Sequence, residues 1–353
     1  MTITKPPSTA RSVECPSLVA LTAKEPGASF DIIRLGVDII RQISPAIQER
    51  RRCFCRPAVP QMTGPGLPCQ HDHVSASERD LCVTDPIAIN RRNWDERAAI
   101  HARDATGGYM LERFRAGEDA LHKIEAAELG DISGKRVLHL QCHIGCDTLC
   151  LARRGGIATG LDFSAVALRF ARALAKETAL EANFVQGTVD EAPFLTPGPF
   201  DLVFTTWGTI CWLPDLGVWA NAIASVLASG GELYLADAHP GFLLLDERAG
   251  RLVPTYDFQT PADKPLGFAS PTTYTGDPTI MTSQSTCEWI HPLSAIFGTL
   301  IDAGLAIVMF REHEVLPWQG LPSLVPASDR LWRLPDGHPR LPLSFSLKAR
   351  KNP

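Results

Sequence analysis

Apolar positions from about residue 130 onward fall into two alternating rhythms. Short continuous runs have the length and turn-rich flanks of buried strands: "RVLHLQ" (136–141), "IATGLD" (157–162), "ANFVQG" (182–187), "FDLVFTT" (200–206) and "ELYLADA" (232–238). Helix-period stretches lie between them. "SAVALRFARALAKETAL" (164–180) offers Ser164 as an N-cap, with Ala167, Phe170, Ala171 and Leu174 on one face. "CDTLCLARRG" (146–155) and "LGVWANAIASVLASGG" (216–231) read the same way, each closed by glycine.

"HPLSAIFGTLIDAG" (291–304) carries Leu293, Ile296, Phe297, Leu300 and Ile301, the stripe of a helix lying on a sheet. "LAIVMFREHE" (305–314) follows as a strand, and "LPLSFSLKARK" (341–351) alternates inward-facing Leu341, Leu343, Phe345 and Leu347 as a closing antiparallel strand. Strands alternating with helices of this length predict an α/β fold: a doubly wound, mostly parallel seven-stranded sheet with helices on both faces. Upstream, "NRRNWDERAAIHARDA" (90–105) and "YMLERFRAGEDALHKIEAAELG" (109–130) predict two helices about a turn at Gly107 and Gly108.

The rhythm fails before residue 89. Residues 1–88 form an N-terminal extension with scattered prolines, turn-rich stretches such as "RPAVPQMTGPGLP", and one predicted helix over 30–52. Residues 89–353 read as one domain with an irregular insertion over 240–285, which is rich in Pro, Thr and aromatics.

A net charge of −5 gives no basic footprint for nucleic acid, and no apolar run is long enough to span a membrane. The first thirty residues have no continuous apolar core, so no secretory signal is read. The ten cysteines then fit reduced thiols better than a disulfide framework, and a cytoplasmic location is expected. Cys53, Cys55, Cys69, His71 and His73 are spaced too irregularly for a zinc site, and no metal is assigned.

"VLHLQCHIGCDTLC" (137–150) is the densest chemistry in the chain, with three cysteines and two histidines. It sits where the first strand turns into a helix, the place for a ligand loop in a doubly wound sheet. A nucleotide-like ligand needs close backbone approach there and an acid at the end of the second strand for its ribose hydroxyls. Gly145 and Asp162 supply these. "QCHIGC" has one of the three glycines that an NAD loop uses, and a G-x4-G-K-[ST] phosphate loop is absent.

In this frame the sequence resembles the class I S-adenosylmethionine-dependent methyltransferases. "VLHLQCHIG" (137–145) stands where that family usually reads V-L-D-L-G-C-G-T-G, with Cys142 at the family's cysteine. "TGLDFSAVAL" matches the second motif, "FDLVFTT" the fourth-strand motif, and "SVLASGGELYL" the entry to the fifth strand. The resemblance spans about residues 90–351. It departs at His139, in place of an acid that holds the methionine part of the cofactor, and at Gln141 and His143, in place of glycines.

The resemblance implies S-adenosylmethionine as cofactor and methyl transfer to a small-molecule acceptor. His139, Gln141, His143 and Gly145 then line the cofactor and Asp162 holds its ribose. Phe163 lies against the adenine, Thr188 and Val189 lie at its polar edge, and Thr206 follows the fourth strand where the methyl group meets the acceptor. The helix carrying Trp94 and His101, with Tyr109, is expected to fold over the cofactor, and the insertion to build the acceptor pocket.

If the acceptor must lose a proton, His239 is the first candidate base and His291 the second, with Asp237 and Glu288 nearby. Plain structural roles stand beside these: Asp162 as a helix cap, His139 as a core histidine, His239 as a loop residue. The lost glycines also leave a non-catalytic cofactor-binding sensor or scaffold as the alternative function. No partner macromolecule is indicated, and the sequence sets no oligomeric state.

Overall fold

The structure is a computed structural model that describes residues 85–196 and 198–352. The helix predicted over 30–52 and the cysteines and histidines of 53–73 lie outside the described residues.

Seven strands form the main sheet: β1 (Arg136–Leu140), β2 (Ile157–Asp162), β3 (Asn183–Gln186), β4 (Phe200–Thr206), β5 (Leu227–Ala238), β10 (Leu305–His313) and β14 (Ser344–Lys351). Their spatial order is β10-β14-β5-β4-β1-β2-β3, while β11 (Val315–Leu316), β12 (Val325–Pro326) and β13 (Trp332–Arg333) form a separate small sheet in the order β11-β13-β12. Strands β1 to β5 pair in parallel, whereas β14 runs antiparallel between β5 and β10, with Leu347 opposite Leu235 and Phe310. The chain builds outward from β1 through β2 and β3, then returns to place β4 on the other side of β1. Strand order therefore reverses between β1 and β4, and the crevice beyond their carboxyl ends is where this architecture binds ligands.

Alternation along the central strands feeds a core on each face. On β4, Leu202 and Phe204 enter one cluster with Leu149, Ala171, Phe184 and Tyr234, while Val203 enters the other with Trp219, Ile223, Leu235 and Ile296. Each such side chain, fully withdrawn from water, contributes about 1.5–3 kcal/mol. Helices α4 (Cys146–Arg153) and α5 (Ala165–Thr178) cover the first face; the one-turn α6 (Ala192–Leu195), α7 (Leu216–Val226) and α9 (Leu293–Asp302) cover the second. Ser164 caps α5 by accepting from Ala167 N–H at 3.0 Å, and Asp215 caps α7.

Helix α1 (Pro86–His101) docks largely through polar side chains on a chain segment, while its Ala98 reaches the core of the first face and its Ile89 packs on Cys287 and Trp289. Asn90 exchanges two 2.8 Å hydrogen bonds with the backbone of Cys287, and Asn93 Nδ2 donates to Ser283 O at 2.6 Å. Glu96 accepts from the backbone of Thr282 and Ser283, both at 2.8 Å. Ser164 Oγ donates to Asp95 at 2.5 Å, which ties the same helix to the cap of α5.

Two predicted elements differ. The single helix read over 109–130 is two short ones, α2 (Leu111–Arg115) and α3 (Lys123–Glu128), because Gly117 adopts φ 101° between them. The insertion is less irregular than expected. It holds the short helix α8 (Pro240–Leu243), a hairpin of β6 (Leu245–Arg248) with β7 (Arg251–Pro254), and β8 (Leu266–Ala269) paired with β9 (Ser285–Glu288).

Cys142, Cys146, Cys150 and Cys211 are free thiols, whereas Cys287 is disulfide-bonded, a departure from the reduced set expected. Among the described residues no group of three or more metal-ligating side chains converges, and no helix is long and apolar enough to cross a membrane.

Candidate active site

The β1–α4 turn keeps a glycine-like path without glycine's freedom. Gln141, His143 and Gly145 have φ of 56°, 49° and 76°, so alternate residues occupy the left-handed region. For a non-glycine residue this costs about 1–2 kcal/mol, so the surroundings must hold the loop. They do. Gln141 Nε2 donates to Thr209 O at 3.0 Å, and His143 N–H donates to Asp162 Oδ2 at 2.8 Å. His143 Nε2 lies 2.9 Å from His101 Nδ1, which in turn meets Tyr109 Oη at 3.0 Å. Gly145 has no alternative: a Cβ there would stand 2.6 Å from Ala171 Cβ and 2.8 Å from the Phe184 ring.

Asp162 ends β2 with both carboxylate oxygens held, one by His143 N–H and the other by Ser164 N–H, each at 2.8 Å. Burial pushes its pKa up to about 6, against the lowering by those two donors. The residue faces a cavity of about 350 Å³ lined also by Gln141, Phe163, Thr188, Val189, Asp190 and Thr206. Gln141 and Thr206 belong to its walls, and their buried Oε1 and Oγ1 have no hydrogen-bond partner among the described residues. Thr188 is less available: its N–H and hydroxyl both donate to Glu191 at 2.9 Å, and Asp190 is the acid beside it.

A second cavity, about 340 Å³, opens on the other side of Trp94, Thr206, Trp207, Gly208 and Trp212, which line both. Its walls come from scattered segments and include Arg97, Tyr109, Asp147, Glu288, His291 and Trp318. Asp237 organises the shared wall. Its carboxylate accepts from the backbone N–H groups of Gly208, Thr209 and Ile210 at 2.7, 2.8 and 3.1 Å, which commits it to the loop and not to proton transfer.

The sequence-predicted residues therefore separate. Gln141, Asp162, Phe163, Thr188, Val189 and Thr206 share the first cavity. His139 lines neither: it is 2 % exposed, its Nδ1 lies 2.8 Å from Thr148 Oγ1, and its ring meets the Phe204 ring edge to face. Burial holds its pKa down at about 3, so the ring is neutral. His143 and Gly145 shape the loop without lining a cavity; burial, aided by Arg97, brings His143 down to about 3.

Of the candidate bases, His291 lines the second cavity and donates from Nε2 to Leu213 O at 2.8 Å. His239 does not reach it: it caps α8, accepting from Gly241 N–H at 3.0 Å, with Glu312 3.2 Å from Nε2. Burial lowers the pKa of both histidines and raises that of Glu288, whose Oε1 accepts from Thr286 at 3.1 Å. Sequence reading passed over Arg97, His122, Asp147, Trp318 and Arg330. The one signal available was the face of α1, where Trp94, Arg97 and His101 recur at helical spacing.

A family model described as a methyltransferase domain matches residues 137–231, from β1 to the entry of β5. The chain is 34% identical over 123 residues to the ubiquinone biosynthesis O-methyltransferase of Cronobacter sakazakii, and 35% identical over 124 residues to an uncharacterized methyltransferase of Synechocystis. These matches cover 33% and 35% of this chain and 50% and 56% of those proteins, so the chain spans about half the length of the curated relatives it matches. A solved S-adenosylmethionine-dependent methyltransferase from Mesorhizobium loti aligns at TM-score 0.45 and 16% identity, covering 65% of this chain and 96% of that one. The matched segment supplies the β1 turn, the acid ending β2 and the wall after β4, so the similarity to a methyltransferase domain falls on the elements that build the first cavity.

Proposed function

We propose that the protein transfers a methyl group from S-adenosylmethionine to a small-molecule acceptor. The observation that carries this reading is the meeting of two cavities at Thr206, Trp207 and Gly208, one of them lined by Asp162 at the end of β2. The residues of the first cavity fit the cofactor: Asp162 would take the ribose hydroxyls, Phe163 the adenine face, and the unpartnered Gln141 Oε1 and Thr206 Oγ1 the polar groups beyond. His139 and His143, which replace an acid and a glycine, turn their rings away and leave that space open.

When bound, S-adenosylmethionine supplies a methyl group already activated on a sulfonium. The chain's own task is alignment and exclusion of water. Trp94, Trp207 and Trp212 form an apolar partition between the cavities, with Trp94 and Trp212 ring centroids 5.3 Å apart. The Asp237 carboxylate fixes the backbone behind that partition. Where the acceptor must lose a proton, His291 Nδ1 or Glu288 would take it, since both line the second cavity. The O-methyltransferase relatives support a small-molecule acceptor, as do the aromatic walls. A cytoplasmic location belongs to the same reading.

Turnover of methyl-labelled S-adenosylmethionine against a panel of small metabolites tests it. Label transfer to at least one acceptor, lost in Thr206→Trp, is the expected result. Cofactor binding with no transfer to any acceptor would favour a sensor.

A further inference from the structure

Among the described residues, Arg97 is the one guanidinium lining the second cavity with no hydrogen-bond or ion-pair partner. It is 9 % exposed, its buried Nε meets no acceptor, and it makes no ion pair or hydrogen bond among the described residues. Arg330, on the same wall, differs: its Nη2 donates to Ala120 O and Leu121 O at 2.8 and 3.2 Å. The Arg97 head lies over two aromatic faces, 5.1 Å from the Trp94 ring centroid and 5.8 Å from that of Tyr274. Aromatic faces stabilise a cation but leave all five N–H donors unused. Burial raises the pKa of Glu288 on the same wall and the Arg97 charge lowers it, but no hydrogen bond joins the two, so the guanidinium donors stay open to an anion in the cavity. A planar fork between flat rings suits a carboxylate, especially one on a flat ring.

We propose that Arg97 is the carboxylate-binding residue of the second cavity and that the methyl acceptor is a carboxylate-bearing, flat small molecule. This rests on the methyltransferase reading above. Two molecules of that reaction can bring a carboxylate here: the acceptor, and the methionine end of the cofactor. The acceptor is favoured by position. Arg97 lines the second cavity and not the one that holds Asp162, and it shares its wall with Cys211, Glu288 and Trp289, beyond the strand ends on the insertion side.

The test is calorimetry on the full chain as wild type, Arg97→Met and Arg97→Lys, with melting curves to establish folding. The probes are S-adenosylhomocysteine, 5′-methylthioadenosine (which lacks the amino-acid end), benzoate and benzyl alcohol. Wild type saturated with S-adenosylhomocysteine should bind benzoate at least about tenfold more tightly than benzyl alcohol. Arg97→Lys should keep part of that preference and Arg97→Met should abolish it, with S-adenosylhomocysteine affinity within about twofold of wild type.

No preference for benzoate in wild type, or a preference that survives Arg97→Met, overturns the site. An Arg97→Met protein that loses S-adenosylhomocysteine affinity about tenfold but keeps 5′-methylthioadenosine gives the carboxylate to the cofactor, and overturns the acceptor assignment. Should S-adenosylhomocysteine not bind wild type at all, the methyltransferase reading fails separately, and the benzoate comparison on the cofactor-free protein still decides Arg97.

Discussion

The two cavities that meet at Thr206 and Trp207 handle charge in opposite ways. In the first, the Asp162 carboxylate is held by two backbone N–H groups before any ligand arrives. In the second, the Arg97 guanidinium makes no hydrogen bond or ion pair among the described residues, and its Nε is buried. The first site is finished by the fold, so its geometry follows from strand ends and a turn. The second is finished by its occupant, so its selectivity resides in a charge the protein leaves open. Preorganisation serves a cofactor common to a family; an open charge serves discrimination among acceptors.

The difference breaks most forcefully at Gly145. Gly145→Ala forces a φ of 76° on an L-residue and drives a methyl into Ala171 and Phe184. Denaturant unfolding should show a loss of about 2–4 kcal/mol, and the surviving folded protein should bind S-adenosylhomocysteine poorly, because the loop that supports Asp162 has moved.

Two buried acids, Asp147 on the wall of the second cavity and Glu125 on α3, give the next effect. Burial pushes Glu125 up to about 8 from an ordinary 4.5, and Asp147 up to about 6 from 3.8. A raised carboxyl stabilises the fold fully below its ordinary value and loses that contribution as pH rises through the folded value. The melting temperature should therefore fall by several degrees between about pH 5 and about pH 8, and Glu125→Gln should flatten most of the slope. A slope unchanged in Glu125→Gln would assign it elsewhere.

Asp162 provides a sharper, smaller test. With its pKa near 6, ribose binding should weaken as pH falls through about 6, since the protonated acid accepts fewer hydrogen bonds. Titrations with 5′-methylthioadenosine should show a several-fold loss by about pH 5 that is absent in Asp162→Asn. His143→Gly should matter least to stability. It relieves a left-handed φ of 49° but removes the 2.9 Å contact to His101. The two nearly cancel, within about 1 kcal/mol. Faster hydrogen exchange along α1 should betray the loosened tie.

The first cavity was legible in the sequence because its residues close consecutive strands. Gln141, Asp162, Thr188 and Thr206 each close or follow an apolar run whose length announces a strand, and the alternation of β and α fixes on which edge those ends meet. Ring directions were not legible. Whether His139 enters the crevice or the core depends on Thr148 and Phe204, which lie 9 and 65 residues away. The second cavity was nearly invisible, since Arg97, Asp147, Glu288, Trp318 and Arg330 belong to separate segments joined by tertiary packing. His239 misled because its place beyond β5 suits a base, while the local turn of α8 uses its Nδ1 as a cap.

A calorimetric titration of the full chain with S-adenosylmethionine, repeated on Asp162→Ala, tests Asp162 as the ribose acid most directly. Micromolar binding is expected, weakening about tenfold or more in the variant while the melting curve stays cooperative. No binding to the wild type, or equal binding to both proteins, would contradict that assignment.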